Sequence, residues 1–284
     1  MAAVLALVVV TAVWGVTFVQ VKDALELYPL FAFLAVRFAI ASLTLVPAAA
    51  PRLRAAGWRP ATLLGLLLAT GYVLQTAGLQ RTTVSSTGFI TGLYVVFTPL
   101  FAYALFRIRA GRAVWTGVAL SLLGLALLSG VGVGSVEGDA LVLAGSAVYS
   151  LQIALMERYA RLHDPIAFTF VEMLAAFVAF TAVALALGDL EVPRGWTVWG
   201  ALLVTGVFAS ALAYLVQTWA QRRTSATRTA LAFALEPVWT ALFGYWLAGD
   251  RLGTVGWTGA AMIMAGIVVA EPAAAEALRR LLRR

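Results

Sequence analysis

The chain contains no cysteine and no asparagine, and His163 is its single histidine. Disulfides, thiolate metal sites and a cysteine nucleophile are therefore excluded, as are histidine-based zinc sites and triads. No cofactor is expected. Charge is scarce as well, at 12% of 284 residues, against about 25% in an ordinary soluble domain. So thin a polar coat cannot cover a globular surface in water. What is there instead is apolar: 62% hydrophobic residues and a mean hydropathy of +0.94. That composition excludes a disordered chain and points to a membrane protein with several spans.

A helix needs about 20 apolar residues to cross a bilayer. Stretches free of Asp, Glu, Lys and Arg run over 1–21, 60–80, 82–106, 113–136, 140–156, 195–221 and 252–270. Three more qualify if one charge is tolerated inside each: 29–50 around Arg37, 165–188 around Glu172 and 229–249 around Glu236. Ten spans joined by short connections are expected. The first lacks a basic leader and a small-residue cleavage site, so it reads as span 1 rather than a secretory signal. With ten spans, the termini share a side with connections 2–3, 4–5, 6–7 and 8–9. That side holds fifteen basic residues, from Arg52 to the C-terminal Arg284, against four (Lys22, Arg81, Arg194, Arg251) on the other. The asymmetry places both termini in the cytoplasm. It also accounts for the net charge of +7 without nucleic acid, whose binding needs a soluble basic face.

Compared with itself at an offset of 142, the chain repeats. Tyr72, Gln75, Thr76, Arg81, Thr82 and Thr87 recur as Tyr214, Gln217, Thr218, Arg223, Thr224 and Thr229. The register holds through Thr98, Leu100, Phe101 and Tyr103 to Trp115-Thr116-Gly117 and Gly124, matched by Thr240, Leu242, Phe243, Tyr245, Trp257-Thr258-Gly259 and Gly266. The front of each half aligns more weakly, as Trp14 with Tyr149 and Pro29 with Pro165. Each copy carries five spans. Five is odd, so the second copy enters from the opposite side, and inverted copies of this kind mark alternating-access transporters. The expected fold class is an all-α integral membrane protein of ten transmembrane helices in two inverted five-helix repeats, 1–134 and 135–270, followed by a basic tail, 271–284.

Ten helices in two five-helix copies, with Trp14-Gly15 in span 1 and Glu236-Pro237 in span 9, resemble the EamA-type branch of the drug/metabolite transporter superfamily over the whole chain. Within it the resemblance extends to the aromatic amino-acid exporters of the YddG type. It implies a transporter, commonly an exporter of small metabolites, in a bacterial-type inner membrane. One departure is Gly249-Asp250 after span 9, where the family often has Gly-Glu; the first copy has Arg107–Arg109 there and no acid.

Polar residues recur at helical spacing on spans 3, 4, 8 and 9. Tyr72, Gln75 and Thr76 share one face of span 3; Tyr214, Gln217, Thr218 and Gln221 share that of span 8. Thr87, Thr91, Tyr94 and Thr98 follow on span 4, and Thr229, Phe233, Glu236 and Thr240 on span 9. Span 1 adds Trp14, Thr17 and Gln20; span 6 adds Tyr149, Gln152 and Met156. Such groups are unsatisfied against lipid, so these faces turn inward, either around a watery cavity or in bonds between helices. The expected substrate-binding set is Trp14, Gln20, Tyr72, Gln75, Thr91, Tyr94, Tyr149, Gln152, Tyr214, Gln217, Glu236 and Trp239. Its aromatic rings suit amphipathic or aromatic organic molecules and cations. Trp58, Trp115, Trp196, Trp199 and Trp257, at span ends, read as interface anchors.

Each charge within a span costs about 2.5–3.5 kcal/mol at a helix centre. Arg37 reads as a structural anchor, paired with Glu172 or separate from it. Glu236 precedes Pro237, which frees a backbone carbonyl; its carboxylate can bind a substrate amine, carry a coupling proton, or cap the kink as a structural group. The run Gly130–Ser135 lacks the strand and lysine of a phosphate loop and reads as the joint between halves. Gly117, Ser121 and Gly124, with Ala261 and Ala265, give small faces suited to close helix packing or a dimer contact, leaving monomer and dimer open. The tail from Glu276 to Arg284 reads as a basic amphipathic helix on the anionic cytoplasmic surface. The partners expected are a small-molecule substrate and the lipid bilayer. Multidrug or organic-cation efflux is the rival within transport. An integral-membrane enzyme is disfavoured, because no span clusters His, Asp or Glu and no nucleotide motif exists.

Overall fold

The computed structural model describes residues 2–82, 84–129, 135–243 and 253–270. Residues 130–134 of the expected joint Gly130–Ser135, Gly249-Asp250 and the tail 271–284 lie outside these. Among the described residues there are helices and no strands. In order they are α1 (Ala2–Leu27), α2 (Leu30–Ala49) running into a 3-10 turn (Ala50–Ala55), α3 (Trp58–Leu79), α4 (Val84–Gly92), α5 (Tyr94–Phe106), α6 (Arg112–Ser129) and α7 (Val136–Ala160). Then come α8 (Pro165–Leu187), α9 (Trp196–Leu203), a π-helical segment (Val204–Leu212), α10 (Ala213–Gln221), α11 (Ala226–Phe233), α12 (Glu236–Phe243) and α13 (Thr254–Ala270).

Among the described residues six stretches are long and apolar enough to cross a membrane: Leu30–Ala55, Trp58–Leu79, Thr87–Phe106, Val136–Ala160, Pro165–Leu187 and Trp196–Gln221. Ala2–Thr17, Arg112–Leu127 and Thr254–Ala270 are apolar but shorter. The stretch expected at 229–249 is broken at Ala234–Leu235 and passes into undescribed residues. A similar break at Leu93 separates α4 from α5. The helix starts keep the repeat register: Val84, Tyr94 and Arg112 become Ala226, Glu236 and Thr254, each 142 residues on.

Local chemistry sets several of these boundaries. Asp164 caps α8, its carboxylate accepting from Ile166 N and Ala167 N at 3.0 Å each, with Pro165 in the first turn, where a missing N–H costs nothing. Ser135 and Ser225 cap α7 and α11 in the same way. Gly57 takes a left-handed φ of 61°, and a Cβ there would fall 2.5 Å from the ring of His163, which stacks on Phe168. The lone histidine is thus a packing residue.

The connections meet in sets. Asp164 N donates to Ala55 O at 3.0 Å, and the Glu157 carboxylate accepts from Ala226 N at 2.7 Å, so the 2–3, 6–7 and 8–9 connections gather at one end. Elsewhere Thr82 donates to Asp139 at 2.6 Å beside an Arg81–Glu137 ion pair, and the Tyr28 hydroxyl donates to Glu191 O. Inside the bundle, the leading helices are exchanged. α1 packs on α9 to α12 of the second half, and α7 packs on α3 to α5 of the first.

The most extensive helix contact joins α6 to α13. A Cβ on Gly117 would lie 2.5 Å from Gly266 O, and one on Gly124 would lie 2.5 Å from Gly259 O. Residue numbers rise on one helix as they fall on the other, so the two run antiparallel. Gly117 and Gly124 are the repeat mates of Gly259 and Gly266, so the contact is reciprocal, as a two-fold relation requires. The expected small face on the last helix is corrected: Ala261 and Ala265 are exposed, and Gly259 and Gly266 make the contact. Trp58, Trp115, Trp196, Trp199 and Trp257 are all exposed, as are many Leu and Val side chains around the bundle, the outward apolar face that lipid favours.

Candidate functional site

Residues of α1, α2, α3, α4, α5, α7, α10, α11 and α12 converge on a cavity with about 90 Å³ of free volume. Ten of the twelve expected site residues line it: Trp14, Tyr72, Gln75, Thr91, Tyr94, Tyr149, Gln152, Tyr214, Gln217 and Glu236. Two do not. Gln20 is exposed: Thr17 and Val21, on either side of it along α1, line the cavity, and Gln20 lies on the adjoining outward face. Trp239 lies beyond the Glu236 turn of α12, half-buried against the core cluster that includes Phe233, with its ring on Phe243. Met156, named on the span 6 face, is buried in a separate apolar cluster with Leu64 and Phe168.

Repeat mates face each other here. The Tyr214 hydroxyl donates to that of its mate Tyr72 at 3.3 Å. The Trp14 ring lies 5.7 Å from Tyr214, and the Tyr149 ring 5.8 Å from Tyr72; Trp14 and Tyr149 are themselves mates, so this contact is also reciprocal. Trp14 is held by its indole N–H, which donates to Ala209 O at 2.8 Å, and Phe233 closes on its other side at 4.8 Å. The walls are aromatic and their polar edges are oriented by named bonds, the arrangement expected of a small-molecule site.

The two matched glutamines differ in surroundings. Gln75 donates to Thr91 at 3.0 Å and accepts from Tyr149 at 3.1 Å, half-buried on the cavity wall. Gln217 is 1% exposed and donates to Gln152 at 3.1 Å and Gln221 at 3.0 Å. Gln152 in turn donates to the fully buried Glu172 at 2.7 Å. Glu172 is therefore not paired with Arg37. Its partner is an amide that lines the cavity.

Arg37, expected as an anchor, also lines the cavity. Its Nε donates to Ser210 at 2.8 Å and its Nη2 to Tyr72 at 3.0 Å. Ser210 belongs to the π-helical segment, whose wide turn precedes Tyr214; Gly206 lets that segment approach Ile40 and the Arg37 carbonyl, where a Cβ would fall 2.7 Å from Ile40. Single buried π-turns often accompany functional sites. Thr17, Thr76, Val21, Leu34, Leu79, Ile153 and Phe233 complete the lining. Among the described residues no group of His, Asp and Glu could hold a metal ion.

A helical membrane bundle with a polar, aromatic-walled cavity at its centre is the build of a small-molecule transporter. The chain belongs to the EamA-like transporter family, which it matches over residues 1–130 and 136–270, and it is a multi-pass membrane transporter of the drug/metabolite superfamily. An uncharacterized transporter of Archaeoglobus fulgidus is 32% identical over 265 residues, covering 93% of this chain and 84% of that one. The uncharacterized inner membrane transporter YedA of Escherichia coli is 28% identical, covering 90% and 86%. YyaM of Bacillus subtilis, an uncharacterized transporter, is 24% identical over 222 residues. A solved crystal structure superposes on 99% of the chain with a TM-score of 0.79 at 20% identity, so the fold is shared. The relatives are named as transporters, in keeping with a chain that is not an enzyme.

Proposed function

We propose that the protein is a secondary transporter that exports small organic metabolites, amino acids including aromatic ones among them, by alternating access through an inner membrane. The observation that carries this reading is the central cavity walled by repeat mates: Tyr72 with Tyr214, Gln75 with Gln217, and Tyr94 with Glu236. The substrate site of an inverted-repeat transporter falls between its halves. Support for ten helices in two inverted repeats, 1–134 and 135–270, comes from the 142-residue register of helix starts, the antiparallel α6–α13 pair and the two family matches. The basic asymmetry supports cytoplasmic termini.

Trp14, Tyr149 and Phe233 supply π-surfaces for an apolar or aromatic substrate body, while Gln75, Gln152 and Gln217 supply adaptable hydrogen bonds. One observation favours a second reading. Glu236 puts a carboxylate on the cavity wall, which also suits organic-cation efflux, with or without a coupling proton.

Thermal unfolding of the purified protein across a panel of amino acids and cationic drugs tests the two. Stabilisation by amino acids, with export of the same compounds from expressing cells, is expected. Stabilisation by cations alone selects the efflux reading, and a flat response to every compound overturns the cavity as the substrate site.

A further inference from the structure

We infer that Arg37 is the anchor for a carboxylate carried by the transported molecule. The inference rests on the cavity being the substrate site and adds the chemical class that the site selects.

Arg37 sits near the middle of α2, within the membrane-length stretch Leu30–Ala55, and is 5% exposed. Buried cations in a bilayer normally pair with an acid or with backbone carbonyls. Arg37 does neither: its hydrogen bonds go to two neutral hydroxyls, those of Ser210 and Tyr72, and among the described residues no carboxylate lies within ion-pairing distance of it. The acid most like a counter-ion by sequence, Glu172, accepts from Gln152 instead. The charge on Arg37 is thus oriented but not neutralised by its neighbours.

Its orientation is fixed twice over. The two hydrogen bonds use two of the five guanidinium N–H groups, and the guanidinium carbon stands 4.8 Å from the Tyr72 ring centroid and 5.9 Å from that of Phe38. Held in this way on a residue that lines the cavity, the guanidinium keeps N–H donors to spare, in a planar group whose geometry suits a carboxylate. A single guanidinium in a cavity whose lining also includes the acid Glu236 disfavours multiply charged anions such as phosphates. A molecule with one carboxylate matches the single positive charge that Arg37 brings to the lining.

The test uses the whole protein in lipid nanodiscs and matched probes. These are the twenty amino acids and simple monocarboxylates, each compared with its carboxamide, together with tetraphenylphosphonium as a cation. Binding is read as ligand-dependent thermal stabilisation. At least one acid is expected to bind, with its carboxamide roughly tenfold weaker or worse, as the loss of a charge-assisted pair implies. Arg37→Lys should weaken the acid by a similar factor while sparing the carboxamide, and folded Arg37→Gln should no longer prefer the acid. The wild-type comparison needs no variant, so a misfolded Arg37→Gln leaves the test intact. Carboxamides binding as well as acids, or an acid preference that persists in Arg37→Gln, overturns the assignment. Binding of the cation alone overturns it too, yet leaves the cavity as the substrate site. Silence of every probe overturns both.

Discussion

Gln75 and Gln217 are the same residue at the same place in the repeat, and their surroundings give them different tasks. Gln75 bridges Tyr149 and Thr91 as a half-buried side chain on the cavity wall; Gln217, almost fully buried, donates within a chain of amides that ends on Glu172. Gln75→Leu is therefore expected to fold nearly normally and to lose transport, because cavity water can take up its two partners, both of which line the cavity. Gln217→Leu leaves the Gln152 and Gln221 oxygens without that donor, at about 1–3 kcal/mol for each orphaned group. Its unfolding midpoint should drop along with transport. Equal loss of folded protein in both variants would show that Gln75 is a packing residue as well. Glu236 separates charge from shape more directly. Its repeat mate is Tyr94, so the repeat did not demand an acid there. Glu236→Gln keeps size and hydrogen-bonding capacity and removes the charge; the expected result is a folded protein with impaired transport and a flattened pH profile. Wild-type rates and pH dependence in that variant would mark Glu236 as structural. Arg37 shows the limit of reading such residues from sequence. A lone arginine in an apolar span could be seen, but whether it faced an acid, a hydroxyl or the cavity depended on the π-helical segment that brings Ser210 to it.

At the level of elements, the α6–α13 contact depends on backbone approach that only glycine allows. Gly117→Val or Gly124→Val would drive a side chain into a facing carbonyl, and overpacking of this kind costs about 1–3 kcal/mol or more. A lower unfolding midpoint in detergent is expected for each, with reduced folded yield. Gly200→Ala is the control: nothing lies within 4 Å of a Cβ there, and alanine gains about 0.5–1 kcal/mol over glycine within a helix. An unchanged midpoint in Gly117→Val would mean that the helices do not pack through this face. The glycine pairing was legible, since the offset of 142 carries Gly117 and Gly124 onto Gly259 and Gly266; the Ala261–Ala265 face followed only from counting small residues. The helix irregularities were less so. Pro237 announces the break at Ala234–Leu235 by removing an N–H, but the matching break at Leu93 has no proline beside it. The π-helical segment has no local signature either, because its repeat counterpart at 62–70 is ordinary α-helix within α3. It depends on what Gly206 packs against.

For the molecule as a whole, polar and aromatic residues kept in register through apolar helices made the repeat readable, because chance apolar similarity does not conserve Tyr, Gln and Trp positions. Trp239 escaped that logic, since helical spacing tells which face a residue is on but not how far along the helix the cavity extends; Gln20 escaped it because the cavity face of α1 runs from Thr17 to Val21 and leaves Gln20 beside it. The threading itself yields a prediction. If ten helices alternate across the membrane with basic connections inside, the 4–5 and 7–8 connections are separated by three spans and must lie on opposite sides. Gly138 is a poor place to probe this, because it is buried and a Cβ there would meet Arg81 and Thr82 at 3.0 Å. Ile108 and Val192 are better, at 43% and 75% exposed on short connections. A reporter inserted after Ile108, or fused after Arg284, should be cytoplasmic, in keeping with fifteen basic residues on that side. One inserted after Val192 should be external, beside the connection that holds Tyr28. The two sides have different chemistry, so a thiol-reactive label that cannot cross the membrane gives an independent reading once cysteine is introduced at each site. The chain has no cysteine of its own to confuse it. Ile108 and Val192 reporting from the same side would require an even number of crossings between them, and with that the five-helix repeat, its inversion and the alternating-access reading built on it would fall together.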